Sequence, residues 1–592
     1  MCGFAGELRF DGRLVDLSGL ARMSARLEQR GPDSAGVWQR GSLGFAHWRL
    51  TIIDLSAAGE QPMVDAEFGL SLVFNGCIYN YRELKSELEA KGYRFFSNSD
   101  SEVILKAYHH WGTRCVKRFL GMFAFVVAER DSGRIVMARD RLGIKPLYVA
   151  CEAGRLRFAS TLPALTADGD VDTSIDPVAL HHYMTFHSVV PAPLTIIKGV
   201  RKFPPATLRV VELDGREADH VYWQPSFVRP ETAWSASEWQ ERVLDKLRLA
   251  VQRRMVADVP VGVLLSGGLD SSLVVVLLAE SGQRELMTFS IRFEAAGGES
   301  GDEFLYSDIV ARAFETDHRQ IRIDDSRLLP AVDGAIDNMS EPMISHDAVA
   351  FYLLSEEVSK HVKVVQSGQG ADEIFAGYDW YPPLANVPRE QAVDAYVKVF
   401  FDRPRSLLAQ ILSPDYLAPS DVSREFVSEH FAGRGAETTL DAALRLDTTI
   451  MLVDDPVKRV DNMTMAWGLE GRVPFLDHEL VELAAASPPE LKLAHGGKGV
   501  LKDAARALLL AEVIDRPKDY FPVPGIRHLS GPLLDRVRDA LGSRAARERG
   551  LFQSGYVERL LAAPNEIRST LGSNVSWQLG LLELWLQRQK LG

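Results

Sequence analysis

Short apolar runs at 70–74, 123–128, 134–138 and 155–160 recur along the first two hundred residues, separated by clusters of Gly, Asp, Asn and Ser and by two stretches of helical spacing. Runs of this length between turn residues predict strands, and the mixture predicts an α+β unit built on antiparallel sheet. Residues 224–234, QPSFVRPETAW, carry two prolines and no period, which predicts a linker. The expected division is a first unit over 2–225, a connection over 226–236 and a second unit over 237–592. In the second unit the pattern predicts an amphipathic helix over 237–257, a strand over 259–265, a glycine-containing loop and a helix over 271–280. A strand over 286–293, a helix and a strand over 362–366 follow, the alternation of an α/β doubly wound parallel sheet. From about 391 the spacing is mainly helical, and no internal repeat stands out.

Composition narrows the function. At 592 residues, 46% hydrophobic and 25% charged, the chain exceeds one hydrophobic core and is not of disordered composition. A net charge of -13 and a pI near 5.6 argue against general affinity for nucleic acid, whose phosphates call for clustered Lys and Arg. The longest apolar stretches, such as 273–279, fall far short of a membrane span, and no basic and apolar export segment opens the chain. The four cysteines, Cys2, Cys77, Cys115 and Cys151, have no CxxC or Cys/His spacing, so neither a disulfide framework nor a zinc site is expected. A cytoplasmic location fits.

Cys2 is the first candidate for chemistry. Methionine is normally removed before so small a side chain, which would leave one residue bearing both a thiol and an α-amine. That amine titrates near about 8 and can accept the thiol proton without a histidine. Further on, SGGLDSS from Ser266 lies between a predicted strand and a predicted helix, so its N–H groups and hydroxyls converge on an anion. Asp270 inside an anion-binding loop would repel phosphate unless a cation lay between, which makes it a Mg²⁺ ligand candidate. No GK[ST] follows, so the loop is not a Walker A motif.

Five segments in order, CGFAG from Cys2, RGPDSAG from Arg30, HWRLTIIDL from His47, NGCIYNY from Asn75 and SDSE from Ser99, resemble the glutaminase domain of class II (N-terminal nucleophile) glutamine amidotransferases. The resemblance implies that Cys2 attacks the glutamine amide, that Asn75 and Gly76 stabilise the oxyanion, that Arg49 holds the α-carboxylate and that Asp100 holds the α-ammonium. Family members carry Glu after the NG pair; this chain has Cys77, a neutral thiol.

SGGLDSS resembles the pyrophosphate loop of the N-type ATP pyrophosphatases, and VVQSGQGADEIFAGY from Val364, RVPFLD from Arg472 and GKGVLKDAAR from Gly497 extend the likeness to the asparagine synthetase family. By that resemblance Ser266, Gly267, Gly268, Asp270, Ser271 and Ser272, with Ser367 and Gly368, would contact ATP. Leu265 and Ile291 would border the adenine. Asp372 would join Asp270 around Mg²⁺, and Lys502, or more weakly Lys518, would stand beside the phosphates. The implied reaction adenylates a carboxylate and displaces AMP with ammonia carried from the glutaminase site.

The acceptor is less constrained. Gln369 stands where many of these enzymes have glutamate, and SEPMISHDAVAFY from Ser340 places Ser340 and Ser345 where acids are usual. These segments most resemble the N-acetylglutaminylglutamine amidotransferase branch, which amidates the C-terminal carboxylate of an acetylated dipeptide that bacteria accumulate as an osmoprotectant. Aspartate, giving asparagine, is the alternative acceptor. A catalytically silent regulatory relative is the alternative from another class, disfavoured by the joint presence of Cys2, Asn75, Asp270 and Asp372. Oligomeric state is left open, a homodimer included.

Overall fold

The computed structural model describes residues 2–152, 154–293, 304–516 and 523–591. Two six-stranded antiparallel sheets build the first unit. One runs, in spatial order, Arg201–Lys202, Tyr148–Glu152, Arg155–Ala159, Cys2–Arg9, Leu43–Arg49 and Ser34–Arg40. The other runs Glu217–Val221, Thr207–Val211, Ile135–Arg139, Gly121–Glu129, Leu70–Ile78 and Met63–Asp65. Alternation along each strand sends one set of side chains between the sheets, where Phe4, Phe45, Val73, Val126, Met137 and Phe158 form a closed core. The opposite set faces helices. Ala5 and Ala46 meet Leu17–Ala25, while Leu72, Phe74 and Phe125 meet Tyr81–Ala90 and Asp100–Trp111. The result is antiparallel sheet layers between helices, as the sequence pattern predicts.

Residues 222–235 hold no helix or strand, yet they are pinned: Phe227 is buried and bridges to Ala436, and both Arg229 Nη2 contacts to Asp441, at 2.8 and 2.7 Å, fall on its carboxylate. The next helix, Ala236–Arg253, opens on a capping box between Ser235 and Glu238. It ends earlier than its periodicity suggests because Arg254 turns to Asp477, at 3.1 Å, and Asp258 N–H binds the Ile52 carbonyl.

Behind it lies a five-stranded parallel sheet in the order Asp317–Ile323, Met287–Phe293, Val261–Leu264, Val364–Gln366 and Glu470–Arg472. The hydrophobic pattern predicts only the central three. Asp317–Ile323 is a polar edge strand and Glu470–Arg472 is three residues long, so neither has an apolar signature. Pro260 lacks the N–H a ladder needs, which starts the central strand at Val261. Strand order reverses around Val261–Leu264, so the loops after it and after Val364–Gln366 open one crevice at the carboxyl ends, the place where such sheets bind ligands.

Two further features position that crevice. Thr439–Leu446 and Lys458–Met465 are joined through two π-helical segments, Asp447–Met451 and Val453–Val457, the second containing Pro456, whose missing N–H disfavours α geometry. The carboxyl-terminal helix Val575–Gln589 is buried along most of its length, and its Trp577 and Trp585 indole N–H groups bind the Ile344 and Met339 carbonyls at 3.0 Å each. Those bonds fix the segment leading into the helix Asp347–Ser359.

Buried charges cross between the units. Arg30 and Lys145 of the first meet Asp461 of the second at 2.9 and 3.4 Å, and Lys202 meets both Glu341 and Asp454 at 2.9 Å. Three of the apolar clusters also draw residues from both units. Among the described residues no helix is long and apolar enough to cross a membrane.

Candidate functional site

Strand pairing creates the first site. Cys2 opens Cys2–Arg9 and lies directly opposite Arg49 at the end of Leu43–Arg49. The Arg49 guanidinium is held by the Ser56, Ile53 and Asp54 carbonyls, at 3.0, 3.2 and 2.5 Å, and makes no ion pair among the described residues. A buried cation fixed by carbonyls alone is suited to an incoming carboxylate. Asn75 is fully buried; its Oδ1 accepts the Cys2 N–H at 3.1 Å, and its Nδ2 has no hydrogen-bond partner among the described residues. A buried amide donor left unpaired beside a thiol is what oxyanion stabilisation requires. Gly76 has φ +154°, and a Cβ there would collide with the Met122 carbonyl, so the strand crossing demands glycine. NG here is strand interior and not a hairpin turn.

Asp100 begins the helix Asp100–Trp111, capped by Ser99, and its Oδ2 accepts the Ile78 N–H at 3.0 Å. Burial pushes its carboxyl up to about 6, the Ile78 bond opposing and the Glu470 charge adding. Burial likewise raises the Cys2 thiol, so it rests protonated at neutral pH. Cys2, Arg49, Gly76 and Asp100 line one pocket, with Asn75 bonded to Cys2 from behind. Glu470 and Arg472, from the edge strand of the other unit, complete the same wall.

The second site fills the crevice of the parallel sheet, a cavity of about 520 Å³. Leu265, Ser266, Gly268, Asp270, Ser271, Ile291, Ser367, Gly368 and Asp372 all line it. The loop is braced from within: Ser266 Oγ lies 3.1 Å from Ser271 Oγ, and Ser271 donates to the Gly268 carbonyl at 3.2 Å. Gly268 then starts the helix Leu269–Glu280, whose free N–H groups face the cavity. Gly267 and Ser272 do not line it. Gly267, at φ +71°, lies against the Tyr306–Ser307 backbone, and Ser272 is buried inside the helix. Ser272 Oγ has no hydrogen-bond partner among the described residues.

The family resemblance points to Lys502 as the cation; the geometry brings Lys498 closer to the acids. Lys498 Nζ stands 2.6 Å from Asp270 and 2.9 Å from Asp372. Burial works against its charge, but the two carboxylates outweigh that and raise its pKa. Lys502 lines the same cavity and donates to the His495 carbonyl at 2.6 Å. Lys498 sits at φ +56°, and a Cβ on Gly377 would lie 2.3 Å from its Cε, so glycine at 377 leaves room for the side chain to reach the acids. Lys518 lies outside the described residues. Of the segment singled out for the acceptor, Gln369 and Asp347 line the cavity, with Arg459, Phe351, Leu354 and Tyr378. Ser340 and Ser345 do not; Ser340 is buried with its N–H on Asn462 at 2.7 Å. The acids they replace therefore say nothing direct about the cavity.

Comparisons with known proteins agree with this two-site geometry. A family model described as Glutamine amidotransferase domain matches residues 1–223, and one described as Asparagine synthase matches residues 242–587. Asparagine synthetase [glutamine-hydrolyzing] 1 of Bacillus subtilis is 32% identical, over 95% of this chain and 93% of that protein. Asparagine synthetase [glutamine-hydrolyzing] 3 of the same organism is 29% identical over 88% and 87%. Amidase chry2 of Gibberella zeae is 27% identical over 91% of each chain. With both halves matched in order and nearly full length shared, the chain belongs to the asparagine synthase family and carries a glutamine amidotransferase domain ahead of its synthase domain.

Proposed function

We propose that this chain hydrolyses glutamine at Cys2 and uses the ammonia to amidate a carboxylate that its second unit activates with ATP. The observation that carries the reading is the pairing of a thiol, an unpartnered amide donor and two opposite charges in one pocket with a phosphate-type loop in another. Removal of Met1 would turn the Cys2 N–H into an amine placed to take the thiol proton. The thiolate adds to the glutamine carboxamide, the oxyanion meets Asn75 Nδ2, ammonia departs with that proton, and water hydrolyses the thioester to glutamate. In the cavity the acceptor carboxylate displaces pyrophosphate from ATP, and ammonia displaces AMP from the acyl-adenylate. Asp270 and Asp372, both paired with Lys498 Nζ, are hard-oxygen donors that would hold Mg²⁺ once that ammonium moved aside, and the ion would neutralise pyrophosphate charge. Residues 226–236 join the two units, and a cytoplasmic protein, as monomer or homodimer, is consistent with this chemistry.

The favoured acceptor is the C-terminal carboxylate of N-acetylglutaminylglutamine. Gln369 offers the cavity a neutral amide suited to an amide-rich acceptor, and the Arg459 charge is shared with Asp455 and Asp347, at 3.3 and 3.8 Å. One observation favours aspartate: Asp347 and Asp379 line the cavity and could receive its α-ammonium. Incubation with ATP, Mg²⁺, glutamine and each acceptor, read by product mass, decides. The dipeptide gains a terminal amide with release of AMP, whereas aspartate is a poor substrate; efficient asparagine formation with no dipeptide amide reverses the assignment.

The glutaminase half has a pH signature. Asp100 must be ionised to hold an ammonium, and its carboxyl sits at about 6. Protonation dominates below that value, so kcat/KM for glutamine falls about tenfold per pH unit on the acid side. Asp100→Asn lowers the whole profile and abolishes the break; an unchanged break in that variant assigns it to another group.

A further inference from the structure

The glutamine pocket is not closed by its own domain. Its wall includes Glu470 and Arg472, more than 360 residues beyond the other lining groups and carried on the edge strand of the parallel sheet. Arg472 is fully buried, its Nε donates to Glu470 at 2.5 Å, and its Nη1 donates to the Arg254 and Val256 carbonyls at 2.7 and 2.8 Å. The strand tip is thereby rigid at the pocket.

Cys77 lies beneath this tip, its Sγ 3.8 Å from Arg472 Nη2. Burial raises the thiol far above its ordinary range, so it stays neutral and cannot act as a carboxylate. Glu470 behaves oppositely. Burial opposes its charge, yet the adjoining Arg472 keeps the carboxyl at about 2. Its negative charge is felt at Asp100, across the pocket from Arg49. Glutamine enters as a zwitterion. Arg49 supplies one counter-charge, and an α-ammonium taken out of water beside the Arg472 cation is better offset by two carboxylates than by Asp100 alone.

Building on the glutaminase reading above, we propose that Glu470 is a positioning residue for glutamine: with Asp100 it holds the α-ammonium in place of the carboxylate absent at Cys77, so the donor site is completed across the domain boundary. The synthase unit then contributes to glutamine recognition as well as to adenylation.

The test compares wild type, Glu470→Gln and the double variant Glu470→Gln/Cys77→Glu in the full chain. KM and kcat are measured with glutamine and with glutaramate, its analogue lacking the α-amine, and each is set against the ammonium-dependent rate of the same preparation. Glu470→Gln should raise KM for glutamine about tenfold or more, the size of one charge-assisted contact, with a smaller change in kcat. KM for glutaramate should move little, so discrimination between the two collapses. The double variant should recover most of that discrimination. Unchanged discrimination in Glu470→Gln, or a parallel fall in glutamine and ammonium rates that Cys77→Glu does not repair, overturns the proposal and leaves Glu470 as a brace for Arg472. Where the single variant does not fold, the double variant is read alone: retained discrimination supports the proposal and lost discrimination overturns it. None of these outcomes touches Cys2, whose replacement tests the glutaminase reading separately.

Discussion

Cys2→Ala makes no product from glutamine, a fall of at least about 10³-fold, yet still amidates its acceptor when ammonium salts are supplied. The asymmetry follows from where the residue sits. Cys2 touches only the donor pocket, between Arg49 across the ladder and Asn75 behind, and no atom of it lines the ATP cavity. Losing the thiol removes the only buried nucleophile within reach of the unpaired Asn75 amide; Cys77 shares the pocket but is held as a neutral thiol against Arg472. Alanine fits the strand, so the ammonium-dependent rate should stay within about twofold to threefold of wild type. Glutamate release and amide formation, followed side by side with each nitrogen source, check it. Equal loss of both rates would sink the two-site division.

Asp270→Asn has the opposite breadth: product formation falls by about 10²–10³-fold with either nitrogen source. Asp270 and Asp372 share Lys498, and a Cβ on Gly368 would press on Asp270 Cβ at 3.0 Å, so the carboxylate is clamped between the two loops. Asparagine keeps the shape and loses the charge that a metal-bound pyrophosphate requires. Acceptor-dependent exchange of labelled pyrophosphate into ATP isolates this step from ammonia supply. Exchange at the wild-type rate would remove Asp270 from the assignment.

Local chemistry was legible in the sequence wherever a site is made from one turn. In SGGLDSS strand, loop and helix are contiguous, and Asp270 and Ser271 line the cavity that the sequence reading expects there. Within that loop, spacing could not tell which residues face outward, since Gly267 and Ser272 differ from their neighbours only in what packs behind them. Lys498 was not legible because a left-handed backbone at that residue, which a helical period conceals, carries its side chain to Asp270 and Asp372. Glu470 was invisible for a stronger reason. Its relation to Cys77 depends on a three-residue strand docking at a sheet edge, and neither composition nor period encodes that contact. Ser340 and Ser345 show the converse error, in which a motif's neighbourhood in sequence was taken for neighbourhood in space.

The buried cations at the boundary bear on how the molecule is built as well as on what it does. Among the described residues, Arg30, Lys145 and Lys202 find their counter-ions only in Asp461, Asp454 and Glu341 of the other unit, and Arg30 also reaches the Cys2 carbonyl at 3.3 Å. A lone copy of either unit would carry these charges without partners, a poor state for a fragment. The Cys2–Arg9 strand therefore draws part of its support, through Arg30, from Asp461 of the second unit. A chain made only as far as the linker holds Cys2, Arg49 and Asp100 but neither Asp461, which anchors Arg30, nor the Glu470 and Arg472 side of the pocket wall.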